Sequence, residues 1–539
     1  MKKIALLVCM LAGVLVLRAQ SPETGKKYFY YQRYQSAENF FHNQLKQDPN
    51  NADSWLWLVK SYIAQNKTRQ AVDTFAKAPS ALNEDPSYMI ANGTVLLLNN
   101  KTAEARQWFE KAIDETKGKN ATVLGLIAEA QVDCEKGDVN YALELLEKAI
   151  KRDKNDPALY TIRGNCYRKM HNGSEAFRAF SQAIDKEKNY AEALYQLGRI
   201  FQTQKNANMY LDYFNKAVAA DKNFAPALYE LYNHYLYLDP AKANGYFQQY
   251  AALSDKTDAH DYAVADLLYL TKSYKEAIEK GKKLLNKADV PPRIYKLVAY
   301  SYAELKDSSA AMNFMKQYFK AGSDSDFIAK DYETMAELFI AQPGSEDSAM
   351  AYYEKAVNAT ADSSVHFKYY AKLASLAKSQ QDYVMQAKWL GKYYGSKPDA
   401  SNVDLFNWGV AAYRAQDYLQ SDSAFAIYTG KYPEQAYGYY WRALNNASID
   451  TSMAEGRAIQ HYQKLIEVIG DDSLTANHKK WKMDAYTYLA AYETNMEKDY
   501  QEAINYFSKI LEMDPANEDA KKYIAILEKN LASKQEDTN

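Results

Sequence analysis

The sequence predicts an all-α protein, an α-solenoid superhelix of stacked helical hairpins, and three observations predict it. Breakers are scarce, with 20 glycines and 13 prolines in 539 residues, too few for the many turns of a sheet protein of this length. Like residues recur 34 apart: Gly164 and Gly198, Phe180 and Phe214, Ala183 and Ala217, Ala142 and Ala176. Within one such period, residues 157 to 190, two runs with helical apolar spacing flank a short polar turn.

The chain is too long for a single hydrophobic core. Its 47% hydrophobic and 25% charged content is that of a folded protein. The 48 tyrosines require many half-buried positions, where a ring packs and a hydroxyl stays wet. Net charge is −2, from 66 basic and 68 acidic residues. No single-sign field results, so nucleic acid is not an expected partner.

The first nineteen residues read as a secretory signal. Lys2 and Lys3 form the charged start, Ile4 to Leu17 is apolar, and Leu17-Arg18-Ala19 ends the run. That run is short for a bilayer span and has the layout of a signal peptide. Cleavage after Ala19 would leave no integral membrane span, and the mature chain is expected to be exported, periplasmic or associated with the cell envelope. Cys9 lies in the middle of the apolar run, after Val8, which does not suit a lipid-attachment site.

In the unit from 157 to 190, Ala158 to Met170 is the first helix and His171-Asn172-Gly173-Ser174 the turn. Ser174 is the expected N-cap of the second helix, because a short side-chain oxygen can accept from free N–H groups. Glu175 to Lys186 then sets Ala176, Phe180, Ala183 and Ile184 on one face. Gly164 is expected where the helices cross, with Ala176 facing it and Phe180 in the wedge behind. One hairpin cannot bury its apolar face alone, so neighbours must stack.

These residues resemble the tetratricopeptide-repeat family. Tyr160, Gly164, Tyr167, Ala176, Phe180 and Ala183 match its 34-residue pattern, and so do Trp55, Leu58, Tyr62, Ala71, Phe75 and Ala78. Late in the chain Leu405, Gly409, Phe425 and Pro433 match, then Ala503, Phe507 and Pro515. At Tyr210 a tyrosine stands where the family has alanine. The family's period implies about 12 to 14 units.

The expected organisation is a signal peptide at 1–19, an N-terminal array at 20–255 and degenerate hairpins at 256–400. A C-terminal array at 401–516, a capping helix at 517–534 and a flexible tail at 535–539 follow. In the degenerate stretch and after it, Asp307-Ser308, Asp347-Ser348 and Asp422-Ser423 are read as second-helix N-caps.

The sequence offers no catalytic, metal or cofactor site. None of the seven histidines stands at zinc-protease spacing, and phosphate loops, nucleophile elbows and EF-hand loops are missing. Cys134 and Cys166, the cysteines left after cleavage, are read as free rather than as a disulfide. Tyr437, Tyr439, Tyr440 and Trp441 form the densest aromatic cluster, whose spacing favours core packing over ligand stacking.

The resemblance implies binding rather than catalysis, in a concave groove lined by the first helices. Carried over residue by residue, the groove positions are Lys60, Gln131, Asn165, Arg168, Arg199 and Gln202. This polar set with three cations would suit an acidic or carboxylate-bearing segment. The family's carboxylate clamp is matched only at Asn165; Thr161, Gln196 and Glu230 occupy its other positions. The expected function is a non-catalytic scaffold binding other proteins or peptides of the cell envelope. The alternative is an outer-membrane component for glycan uptake on the same scaffold.

Overall fold

The computed structural model describes residues 22–471 and 475–537, so the proposed signal peptide lies outside the described residues. Every regular element among the described residues is helical. The chain divides into two compact units, unit 1 through Lys280 and unit 2 from Gly281.

Unit 1 opens with hairpins α1 (Pro22–Tyr30)/α2 (Tyr34–Gln47), α3 (Ala52–Ala64)/α4 (Thr68–Phe75) and α5 (Pro86–Leu98)/α6 (Thr102–Glu115). It continues as α7 (Ala121–Asp133)/α8 (Val139–Arg152), α9 (Pro157–Lys169)/α10 (Gly173–Lys186) and α11 (Ala191–Thr203)/α12 (Ala207–Ala220). Then come α13 (Ala225–Tyr235)/α14 (Pro240–Leu253) and α15 (Asp258–Leu270)/α16 (Tyr274–Leu284), the last helix crossing the division.

Unit 2 holds α17 (Arg293–Glu304)/α18 (Ser308–Ala321), α19 (Ala329–Ile340)/α20 (Glu346–Asn358) and α21 (His366–Ser379)/α22 (Tyr383–Ser396). It ends with α23 (Asn402–Arg414)/α24 (Tyr418–Lys431), α25 (Ala436–Ile449)/α26 (Ile459–Ile469), α27 (Ala476–Tyr492)/α28 (Tyr500–Met513) and the unpaired α29 (Glu518–Asp537). Hairpins therefore continue through the stretch where the sequence pattern fades.

Close approach within a hairpin rests on a glycine and a phenylalanine sixteen residues later. A Cβ built on Gly93 or Gly198 would stand 2.5 Å from the ring of Phe109 or Phe214, and Gly164 is tighter still against Phe180. Phe180 thus lies directly on Gly164 rather than in a wedge behind it. Phe109, Phe180 and Phe214 are fully buried, worth about 2–3 kcal/mol each in transfer free energy.

The turn inside the hairpin is also a repeated device. His171, Lys205, Lys306, Gln381 and Gln416 all have left-handed φ, between 56° and 63°. Each directly precedes the N-cap of a second helix. The cap's N–H closes a six-residue ring on the first helix, as from Asn172 to the Tyr167 carbonyl at 2.8 Å. The cap side chain then accepts from the third helical N–H, as Asp382 does from Met385 at 2.9 Å and Asp417 from Gln420 at 3.0 Å.

Three N-cap readings, Ser174, Asp347 and Asp422, are corrected here. Asn172, not Ser174, caps α10, accepting from the Glu175 N–H at 3.2 Å. Of the three Asp/Ser pairs, only Asp307 is a cap. Asp347 lies in the first turn of α20 behind the N-cap Ser345, and Asp422 lies inside α24, held by Arg442 at 2.9 Å. Within the aromatic cluster on α25 the packing expected from its spacing is seen for Trp441, which stacks on Phe425 at 5.6 Å, and Tyr440, on Trp481 at 4.9 Å, while Tyr437 is exposed.

Candidate functional site

The first helices of unit 1 line an interior bridged by contacts between its early and late hairpins. Tyr30, at the end of α1, reaches the rings of Tyr190 and Phe224 at 6.2 and 5.4 Å. Its hydroxyl accepts from the backbone of Glu192 in the first turn of α11, a helix whose own N-cap, Tyr190, supplies no side-chain bond. Tyr31 bonds to Asp221. Asp255, after α14, returns to the first hairpin: it accepts from the backbone of Gln35 at 2.8 Å and of Ser36 at 3.2 Å. It thereby caps α2, whose N-cap Arg33 makes no cap bond of its own.

This interior holds a cavity of about 260 Å³. Its wall includes Phe29 and Tyr30 from α1, Trp57 from α3, Glu129 from α7, Asn165 from α9, and Tyr190 and Glu192 at the start of α11. Lys60 and Glu129 form an ion pair across the interior at 2.5 Å, with the ammonium 4.1 Å from the Trp57 ring and 5.1 Å from Phe29. Glu192 accepts from the Tyr190 hydroxyl at 3.3 Å. Burial first, then the Glu129 charge, push the Glu192 carboxyl up to about 7.

The six groove residues read from the sequence separate into three places. Lys60 and Asn165 belong to this interior. Gln131 is buried and accepts from the Asp138 backbone at 2.8 Å, which fixes the turn between α7 and α8. Arg168, Arg199 and Gln202 come together further along. Arg168 donates to Gln196. Arg199 and Gln202 both bind Glu230 of α13, at 2.9 and 2.8 Å. Two of the three cations, Lys60 and Arg199, thus already hold internal carboxylates. Spacing along the sequence did not reveal these partners, because Glu129 is 69 residues from Lys60 and Glu230 is 31 from Arg199.

Cys134 and Cys166 are free and buried. Lys169, at the end of α9, donates to the Gln131, Val132 and Cys134 carbonyls at 2.6 to 3.0 Å. It satisfies the free C-terminal carbonyls of α7.

Unit 2 carries an open groove that the sequence did not single out. A cavity of about 470 Å³ lies between α21, α22 and α23. Leu390, Phe406 and Val410 give it an apolar floor, and Lys378 and Arg414 stand at its rim. Both cations are exposed, and among the described residues neither has a carboxylate within ion-pair distance. Arg414 only approaches the Tyr383 ring, at 5.6 Å. The nearby carboxylate, Asp404, is held by Lys397 at 2.8 Å. Arg414 stands five residues after Gly409, one place beyond the position that Arg168 and Gln202 hold after Gly164 and Gly198. Lys378 holds that position four residues after Ala374, but α21 lies in the stretch where the repeat pattern fades.

Among the described residues no group of three His, Cys, Asp or Glu could hold a metal ion, and no helix is long and apolar enough to cross a membrane.

Tetratricopeptide-repeat family models match residues 28–89, 191–224 and 497–517. Human tetratricopeptide repeat protein 16 is 25% identical over 150 residues, which is 28% of this chain and 14% of that protein's length. Among solved structures, the C-terminal part of a TPR repeat-containing protein from Cytophaga hutchinsonii is 27% identical. That alignment covers 48% of this chain and 98% of that one, with a TM-score of 0.29. A tetratricopeptide repeat protein from Parabacteroides merdae is 19% identical, covering 46% and 96%, with a TM-score of 0.31. The chain thus carries tetratricopeptide repeats in both units, and its described residues fold throughout as consecutive helical hairpins.

Proposed function

We propose that this protein is a non-catalytic scaffold that holds an acidic segment of a partner protein in the groove of unit 2. The family is generally one of scaffolds that bind proteins or peptides. The observation that carries the reading is the pair of exposed, unspent cations, Lys378 and Arg414, above the apolar floor of Phe406 and Val410. A carboxylate between two such cations gains charge-assisted hydrogen bonds, and neighbouring apolar side chains gain burial. Unit 1 suits this role less well, because its cations Lys60 and Arg199 are already paired.

We place the scaffold in the cell envelope. The support is the sequence alone: Lys2 and Lys3, the apolar run Ile4 to Leu17, and the Ala19 that ends the segment. The amino-terminal sequence of the protein from cells tests it. A start at Gln20 or Ser21 in an envelope fraction is expected; a start at Met1 in the cytosol contradicts it.

Partner chemistry is tested with a photo-crosslinking residue at Val410 in the full-length protein. Crosslinked segments rich in Asp and Glu are expected. Basic segments, or no more crosslinking than from the outward Lys388, contradict the proposal.

A further inference from the structure

The cavity of unit 1 is not needed for partner binding in unit 2. We infer that it binds a primary ammonium or guanidinium group. This inference stands apart from the unit 2 groove, and either can fail alone.

The walls are aromatic and acidic together. Phe29, Tyr30, Trp57 and Tyr190 line the cavity, with the carboxyls of Glu129, Asp156 and Glu192 among them; Lys26 also lines it, but is paired with Asp53 at 3.1 Å and Glu23 at 3.2 Å. Aromatic faces and carboxylates both attract cations, and more strongly out of bulk water. The same wall already performs this recognition once. The Lys60 ammonium lies 4.1 Å from the Trp57 ring, 5.1 Å from the Phe29 ring and 2.5 Å from Glu129.

Lys60 occupies Glu129 but leaves Glu192, whose side-chain hydrogen bond comes from the Tyr190 hydroxyl at 3.3 Å. A second cation entering the cavity would meet that carboxyl with Tyr30 and Tyr190 on either side. Anions are disfavoured by the same carboxyls. At about 260 Å³ the space is below that of a drug-sized ligand site and suits one long cationic chain.

Such a chain could be a free cationic amino acid or the arginine or lysine side chain of a partner. Calorimetry on the full-length protein distinguishes them, using free arginine, an end-blocked Gly-Arg-Gly peptide, and citrulline as the uncharged isostere. Binding of arginine, the peptide or both, with citrulline at least about tenfold weaker, is expected. Arginine alone identifies a free ligand, and the peptide alone identifies a partner side chain.

Glu192→Gln, which removes the charge at nearly constant size, is expected to weaken binding about tenfold. Circular dichroism checks that this variant is folded, and Trp57→Phe gives an independent, milder loss from the ring side. No heat with either charged probe, equal binding of citrulline, or unchanged affinity in both variants overturns the inference.

Discussion

Asp255 accepts a 2.8 Å hydrogen bond from the backbone N–H of Gln35, 220 residues earlier in the chain. The contact is a helix cap supplied from the far side of unit 1. With Tyr30, which serves the start of α11, it joins the first hairpin to the later ones. A repeat array usually touches only its neighbours. This one is also held at a seam.

The seam makes Asp255 more than a surface residue. Asp255→Ala is expected to lower the stability of unit 1 by about 1–2 kcal/mol, the range for a lost N-cap. Urea unfolding followed by circular dichroism reads it. A change within experimental error would mean that the seam holds nothing.

The glycine–phenylalanine contact is a packing constraint. Gly198→Ala would place a methyl 2.5 Å from the Phe214 ring. Overpacking of this kind costs about 1–3 kcal/mol. The double variant Gly198→Ala with Phe214→Leu is expected to cost less than the sum of the single variants, as expected of touching residues. Strict additivity in the melting data would contradict the contact.

The hairpin turns carry avoidable strain. Lys205 has a φ of 56° without being glycine. Lys205→Gly relieves the left-handed penalty but loosens the unfolded chain. The balance is expected to be a gain of up to about 1 kcal/mol, seen as a higher melting temperature. A loss of stability would show that the lysine side chain matters there.

Glu192 gives unit 1 a pH dependence. Its carboxyl is raised to about 7 in the fold, chiefly by burial and then by Glu129. Between the usual glutamate range and about 7 the folded state therefore holds a proton that the unfolded chain has released. Stability should fall as pH rises through that window. Glu192→Gln should flatten the fall. Parallel profiles for the two proteins between pH 4.5 and 7 would contradict the assignment.

Much of the fold was legible because the spacing of Gly164 and Gly198, or Phe180 and Phe214, records local packing. Local chemistry was less exact. Ser174 and Asn172 are both good caps, and only the left-handed His171 decides that the helix starts at Gly173. The candidate site was less legible still. Lys60 looked like a free groove cation because Glu129, 69 residues away, approaches it only through the fold. Lys378 went unseen because α21 lies in the stretch where the 34-residue pattern fades.

The central claim is that the groove of unit 2 receives a carboxylate between Lys378 and Arg414. Fluorescence anisotropy with labelled acidic-apolar peptides, each paired with its Asn/Gln analogue, tests it on the wild-type protein and on Lys378→Glu/Arg414→Glu. The expected result is binding of an acidic peptide that weakens at least about tenfold with the amide analogue and with the folded double variant. Equal affinity of the acidic peptide for both proteins would contradict the account.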